Sequence, residues 1–206
     1  MTYKIIDGKG IIPELVRVIE SGAFRDCESL TSMEIPCGVK EIGNDAFTGC
    51  DNLQAIVLPN SVTKIGERAF SGCRSLRSIE IPDSVTIIGE NAFRGCEHLQ
   101  SIVIPDGVRE IEDYTFCNCA NLQSIEIPQT VTVIGVHAFS GCGSLQSIVI
   151  PDGVTVIEEG LFSGSHSLQS IEIPDELIVI EDDVFRFCIY NHRTTKTNQK
   201  YPSVNL

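Results

Sequence analysis

Residues 36–59 read PCGVKEIGNDAFTGCDNLQAIVLP, a stretch that begins and ends on a proline with a spacing of 23 residues. The same spacing holds between successive prolines along the chain, at Pro13, Pro36, Pro59, Pro82, Pro105, Pro128, Pro151 and Pro174. A fixed period of about 20 to 50 residues is typical of a solenoid, in which each unit buries its apolar face against its neighbours. The period therefore predicts one supersecondary unit copied eight times.

Three further residue types recur in register with the prolines. Eleven residues after each proline comes a phenylalanine: Phe24, Phe47, Phe70, Phe93, Phe116, Phe139, Phe162 and Phe185. Three residues later comes a cysteine, replaced once by Ser165: Cys27, Cys50, Cys73, Cys96, Cys119, Cys142 and Cys188. A leucine follows after three more residues: Leu30, Leu53, Leu76, Leu99, Leu122, Leu145 and Leu168. These shared positions predict a common apolar core.

The end of each unit has the pattern of a half-buried strand. In the second unit, Leu53, Ile56 and Leu58 form an L-x-x-I-x-L segment whose last positions alternate inward and outward. Proline then ends the strand, because it has no N–H to donate to a neighbouring strand. Repeating the proline in register predicts that every strand stops at the same line.

The middle of each unit is less decisive. Val39, Ile42, Ala46 and Cys50 recur at three- and four-residue spacing, which favours a helical turn or 3₁₀ turn over the alternative of a second short strand. Just before the cysteine stands a glycine or asparagine, which predicts a left-handed backbone that closes the turn. These residues are Gly49, Gly72, Gly95, Asn118, Gly141 and Gly164, with Phe187 as the exception in the last unit.

The pattern I-P-x-x-V-x-x-I-x-x-x-A-F-x-x-C-x-x-L-x-x-I-x-I-P resembles the BspA-like leucine-rich repeat family over about residues 11 to 188. The resemblance implies a β-rich α/β fold: a right-handed solenoid with a parallel sheet on its concave side and short helical or 3₁₀ turns on its convex side. It also implies a bacterial or protozoan surface protein that binds host or neighbouring-cell proteins. The family has no shared catalytic residues.

Three regions follow from the repeat. Residues 1–12 are predicted to form an N-terminal cap, residues 13–188 eight repeats of which the last is incomplete, and residues 189–206 a basic tail or cap outside the repeat. The tail contains Arg193, Lys196 and Lys200 and no acidic residue. It is interpreted either as a frayed terminus or irregular cap over the last core face, or as a partner-binding or dimerising segment. Weak self-association through the end coils or the tail is a further expectation.

Composition and charge exclude some classes of function. The formal net charge of -13 argues against nucleic acid, because phosphate binding depends on Lys and Arg. No apolar run approaches the roughly 18 residues of a membrane span. Residues 1–8 are too short and too polar for a signal peptide, so the residues alone leave the compartment open. The resemblance suggests a secreted protein or one at the cell surface.

Of the nine cysteines, the seven in register with the repeat are interpreted as packing residues. Free cysteine behaves as a small buried hydrophobe, and one sulfur per coil does not match the clustered ligands of zinc. Disulfides between coils would need Cα atoms within about 7 Å, which a splayed convex side does not favour. Cys37 and Cys117 stand where other units have polar residues, so both are expected to be more exposed and to react first with a thiol reagent.

The outward positions of the strands define the candidate partner-binding surface. They alternate between acid and valine: Glu34, Val57, Glu80, Val103, Glu126, Val149 and Glu172. Serine and glutamine columns run beside them, interrupted by Arg77. The candidate site residues are Glu34, Arg77, Glu80, Gln100, Glu126, Gln146 and Glu172. The alternative interpretation is a solvated, merely repetitive face. Breaks in the repeat at Arg74, Arg77, Tyr114, Cys117 and His166 are the places where specificity is expected.

The sequence predicts no catalytic, cofactor or metal site. The four histidines do not share a repeat position and form no recognisable motif with a serine or cysteine nucleophile. The expectation is therefore a non-enzymatic protein-interaction module without cofactors. By the resemblance, this module would serve in adhesion, with a host or extracellular-matrix protein as partner. The alternative is an intracellular structural scaffold without a host partner.

Overall fold

The computed structural model describes residues 3–188, and it opens with a β-hairpin. Strands β1 (Lys4–Ile6) and β2 (Lys9–Ile11) pair in antiparallel register through a tight turn. Asp7 and Gly8 form that turn with φ of 49° and 79°, the left-handed conformation that two-residue hairpin loops require. The second strand of the hairpin, β2, pairs in parallel with the first repeat, with Lys9 opposite Ser32 and Gly10 opposite Met33.

Fourteen further short strands follow along the described chain. They are β3 (Val18–Ile19), β4 (Ser32–Glu34), β5 (Glu41–Ile42), β6 (Ala55–Val57), β7 (Lys64–Ile65), β8 (Ile87–Ile88), β9 (Ser101–Val103), β10 (Glu110–Ile111), β11 (Ser124–Glu126), β12 (Val133–Ile134), β13 (Ser147–Val149), β14 (Val156–Ile157), β15 (Ser170–Glu172) and β16 (Val179–Ile180).

The strands form two rows, and all complete repeats but one contribute to both. The first row contains β2, β4, β6, β9, β11, β13 and β15, and the second contains β3, β5, β7, β8, β10, β12, β14 and β16. Paired residues are one repeat apart, as in Met33 opposite Ile56 and Ile42 opposite Ile65. The predicted solenoid of parallel strands is therefore confirmed. The expected strand is missing in one repeat, since residues 77–81 between β6 and β9 have no strand conformation.

The middle of each unit contains the second short strand that was the alternative to a helical turn. The second strand forms there, and no helix occurs within residues 3–188. The residues after it form consecutive turns closed by i to i+3 hydrogen bonds, such as Cys50 N–H to the Phe47 carbonyl at 3.1 Å. A helix cannot form because intervening N–H groups point along the solenoid instead. Phe47 N–H, for example, donates to the Ala69 carbonyl of the next coil at 2.8 Å.

Each turn uses two left-handed residues, only one of which was expected. The predicted column is confirmed, with Gly49 at φ 71° and Asn118 at φ 60°, and Phe187 also adopts it at φ 62°. A second column lies four residues earlier, where Asp45 has φ 56°. Its other members are mostly not glycine: Gly22, Arg68, Asn91, Tyr114, His137, Gly160 and Asp183.

The core is a stack of identical layers. The phenylalanine rings stack from Phe24 to Phe185 with centroid separations between 5.2 and 5.9 Å. The cysteines pack beside them, and the Cys96 thiol donates to the Phe70 carbonyl at 3.2 Å. Ser165 makes the same bond to the Phe139 carbonyl at 3.0 Å, which explains why serine can replace cysteine in this column.

The two rows of strands differ in length. Each strand of the first row has three residues, whereas each strand of the second row has two. The resemblance to leucine-rich repeats implies a parallel sheet on the concave side and turns on the convex side. The first row is assigned to that sheet, and its outer surface is called the concave face.

Candidate interaction surface

The concave face presents a column of alternating acidic and aliphatic side chains. Glu34 lies opposite Val57, Val103 opposite Glu126, and Val149 opposite Glu172 across neighbouring strands. The valines are well exposed for aliphatic side chains, at 60% for Val57, 56% for Val103 and 50% for Val149. Strand alternation causes this exposure, because the isoleucine or leucine on either side of each valine is turned into the core.

Polar columns of serine and glutamine border the acid and valine column. Gln100 and Gln146 are exposed and directly precede β9 and β13. Their carbonyls accept hydrogen bonds from Gln123 N–H at 2.9 Å and Gln169 N–H at 2.8 Å, so the backbone beneath the column is fixed. Their amide side chains are exposed, which makes the border of the acid and valine column a polar surface.

Arg77 and Glu80 occupy the repeat that lacks a concave strand. Both side chains are exposed. The Arg77 carbonyl accepts a hydrogen bond from Gln100 N–H at 3.1 Å, which ties this segment to the following coil. All seven predicted site residues are thus exposed on the concave side. Whether they contact a partner stays a prediction.

The acidic side chains of the column are largely uncompensated. Glu34 has a cation nearby, with Lys9 Nζ at 3.9 Å from its carboxylate. Within residues 3–188, no lysine or arginine lies within 4.0 Å of the carboxylates of Glu80, Glu126 or Glu172. The concave face therefore carries a row of exposed negative charges with aliphatic side chains between them.

The other breaks in the repeat lie away from this column. Tyr114 stacks on His137 at 5.3 Å, within the left-handed turn column that the sequence did not indicate. His166 Nδ1 lies 2.8 Å from the Phe187 carbonyl. These side chains form contacts between turns of successive coils, so their placement is explained by stacking.

The structure also has a groove at the edge of the turns that the sequence does not predict. It encloses about 470 Å³ and is floored by glycines of successive coils, with Arg74 and Arg94 at its sides. Arg74 is 3.6 Å from Asp51 and 3.5 Å from Glu97, so its charge is balanced within the protein. The glycines themselves are explained by the left-handed turns.

The expectation for the two unusual cysteines is half correct. Cys37 is exposed, as predicted, but Cys117 is only 7% exposed and the prediction for it is wrong. Its side chain is buried at the turn, and this burial raises the pKa of the Cys117 thiol despite the opposing charge of Arg94. All nine cysteines are free thiols, and burial raises the pKa of Cys50 to about 12. The interpretation of the repeated cysteines as packing residues agrees with this environment.

The described residues give no other chemical site. Residues 3–188 contain no group of three His, Cys, Asp or Glu side chains that is arranged to hold a metal ion. In the same part of the chain, no helix has the length and apolar character needed to span a membrane. The concave face is therefore the strongest candidate for function.

Comparison with known proteins gives consistent matches. The family model described as BspA type leucine rich repeat region matches in six copies over residues 9–119 and 63–192. A crystal structure of a leucine rich cell surface protein from Faecalibacterium prausnitzii is similar, with 35% identity and a TM-score of 0.54 over 82% of this chain and 54% of that chain. This chain thus spans about half the length of that protein. No curated protein sequence matches.

Two more crystal structures of leucine-rich repeat proteins are similar to this chain. The leucine rich repeat protein of T. pallidum has 27% identity and a TM-score of 0.59, covering 86% of this chain and 82% of that chain. A leucine-rich repeat protein from Bacteroides ovatus has 28% identity and a TM-score of 0.51, covering 91% of this chain and 67% of that chain.

Proposed function

The chain belongs to the BspA-type leucine-rich repeat family, and we propose that it binds a protein partner through its concave strand face. Proteins of this family typically mediate protein interactions and are generally non-enzymatic binding modules. The observation that carries the proposal is the row of exposed valines between uncompensated glutamates on the concave face. Aliphatic side chains on a rigid sheet supply apolar area, and the carboxylates supply charge selection.

Adhesion is the proposed context of this binding. The protein from Faecalibacterium prausnitzii that resembles this chain is described as a cell surface protein. By that similarity, the partner is proposed to be a host or extracellular-matrix protein, and the chain is proposed to act at the cell surface. The second candidate is an intracellular scaffold, which the same rigid stack of coils would also serve.

Affinity capture with matched variants tests the proposal. The full chain serves as bait against two pools, an extracellular-matrix extract and a lysate of the source cells. The double variant Glu80→Lys with Glu126→Lys reverses charge on the concave face. The control, Glu159→Lys with Glu181→Lys, makes the same charge change at exposed positions on the turn side.

The proposal predicts a protein captured by the wild type and the control but lost with the concave variant. Capture from the matrix pool favours adhesion, and capture solely from the lysate favours the scaffold. Equal capture by all three chains would place the contact away from the concave face. If no protein is retained by the wild type, the binding function itself is wrong.

A further inference from the structure

The alternation on the concave face extends over eight coils. Ile11 in β2 is 43% exposed and stands one repeat before Glu34, so the hairpin continues the same column. The order along the solenoid is then Ile11, Glu34, Val57, Glu80, Val103, Glu126, Val149 and Glu172. At about 4.8 Å per strand, acidic and aliphatic positions alternate, and like positions repeat every 9.6 Å or so.

An α-helix laid across the strands matches this alternation. Seam residues of a heptad helix recur on average every 3.5 residues, and at about 1.5 Å per residue they are roughly 5.2 Å apart along one face. The two seam positions of a heptad alternate, so cations at one and aliphatics at the other would meet Glu and Val in turn. The mismatch is about 0.4 Å per strand, so over four strands it stays within the reach of a flexible side chain.

Extended partners fit less well. A β-strand presents one face every two residues, at about 6.6 Å, which falls out of phase with the column within two strands. A polyproline helix repeats every three residues at about 9.3 Å, so one face meets the glutamates but presents nothing to the valines between them. The helix is the regular element that presents both residue kinds on one face at the observed order.

The chain itself contains one example of the expected ionic contact. Lys9, from the N-terminal hairpin, places its Nζ 3.9 Å from the Glu34 carboxylate. The remaining glutamates of the column have no such partner within the described residues. The exposed glutamines and serines beside the column would meet polar residues that flank the seam of a bound helix.

We propose that the concave face binds an amphipathic helix whose heptads place Lys or Arg at one seam position and an aliphatic residue at the other. This inference rests on the proposed function and specifies its partner. The binding mode is a helix in a groove, in which seam residues act as anchors. The helix runs along the solenoid over Glu80, in the repeat that lacks a concave strand, and then across β9, β11 and β13 over Val103, Glu126 and Val149.

Synthetic peptides test the spacing directly. The probe is a labelled peptide of about four heptads with Lys and Leu alternating at the seam positions. A second peptide of equal composition groups its seam lysines in one half and its seam leucines in the other. Fluorescence anisotropy measures the binding of each to the full chain at low and moderate salt, and circular dichroism checks that both peptides are equally helical.

The alternating peptide is expected to bind at least about tenfold more tightly than the grouped peptide. The variant Glu80→Lys with Glu126→Lys should bind the alternating peptide at least about tenfold more weakly than the wild type does, and the salt dependence of this binding should be smaller. Val103→Ser with Val149→Ser should weaken it several-fold without changing the salt dependence, because apolar contact is not screened. The control Glu159→Lys with Glu181→Lys should bind as the wild type does.

Equal affinity for the two peptides would overturn the inference, because charge alone would then explain the binding. Absence of measurable binding by the alternating peptide would overturn it as well. Neither peptide result decides the proposed function, which the affinity-capture experiment tests. If the wild type captures a protein and the Glu80→Lys with Glu126→Lys variant does not, the concave face binds something other than this helix. If both chains capture the protein equally, the proposed function is contradicted.

Discussion

Removal of one phenylalanine ring from the middle of the stack should destabilise the whole solenoid. Phe93 is fully buried and stacks on Phe70 at 5.4 Å and on Phe116 at 5.6 Å. Truncation of a buried phenylalanine to alanine costs about 3 to 5 kcal/mol, through lost transfer free energy and the cavity that remains. Because the ring contacts both neighbouring layers, we expect Phe93→Ala to lie near the upper end of that range.

Burial along the stack provides the internal comparison. Phe185 is only half-buried, so Phe185→Ala should cost about half as much by the same transfer argument. Val57 is 60% exposed, and Val57→Ala should change the free energy of unfolding by less than about 0.5 kcal/mol. Urea unfolding followed by circular dichroism gives both the midpoint and the slope for each variant.

A lower slope for Phe93→Ala would indicate that the damaged coil separates the stack into two independently unfolding parts, as nearest-neighbour coupling allows. A loss of less than about 1 kcal/mol for Phe93→Ala would refute the role assigned to the ring, since truncation of a buried phenylalanine typically costs about 3 to 5 kcal/mol. That role would also be refuted if Phe185→Ala were the more damaging change.

Three other predictions concern thiols, a carboxylate and a turn. In the native chain Cys37 should react first with a thiol reagent, while the buried cysteines of the repeat stay unmodified until the chain unfolds. Burial raises the pKa of Cys50 to about 12. The free energy of unfolding should therefore fall as pH rises from about 9 toward 12, because thiols ionise there in the unfolded chain and not in the folded one. The hydrogen bond from Arg68, at 2.9 Å, lowers the pKa of Asp45; Asp45→Asn should therefore lower the urea midpoint at pH 7, and the difference should shrink as pH falls below about 4. Gly95 has φ 70°, so Gly95→Ala should lower the free energy of unfolding by about 1 to 2 kcal/mol in thermal or urea unfolding. Gly95→Asn should lower it less, because Asn118 adopts φ 60° at the equivalent position. Equal losses for the two variants would contradict the backbone explanation.

The repeat made most of the fold predictable from the sequence. Proline, phenylalanine and leucine recur in register, and each has one physical reason to stand where it does: proline follows the end of a strand, phenylalanine supplies a core ring, and leucine fills the core just before the concave strand. Ser165 fits the cysteine column because its hydroxyl makes the hydrogen bond that the thiols make elsewhere. One-dimensional stacking means that a good account of one coil describes its neighbours too.

The failures have equally local causes. The three- and four-residue spacing around Ala46 resembles a helix, but alternate N–H groups, such as those of Asp45 and Phe47, bond to the next coil. Periodicity within one chain segment cannot indicate such bonds. Cys117 replaces polar residues in the repeat and was expected to be exposed, yet its own turn buries it. The sequence does not indicate the left-handed column at Asp45 and Arg68, because glycine occupies it in only two units, at Gly22 and Gly160.

The alternation of the candidate surface was visible in the sequence, whereas its exposure and charge balance required the structure. Only the structure shows that Val103 and Val149 are exposed on their strands. The ion pair of Lys9 with Glu34 joins the hairpin to the first repeat, a contact that the repeat pattern does not encode.

Site-specific photo-cross-linking tests most directly whether the concave face is the binding surface. A benzophenone side chain introduced in place of Val103 would lie on the concave face, and the same group in place of Glu159 would lie on the turn side. After irradiation with the captured partner, mass spectrometry identifies the adducts formed from each position. We predict a partner adduct from position 103 and none from position 159; an adduct that forms from position 159 alone would contradict the account.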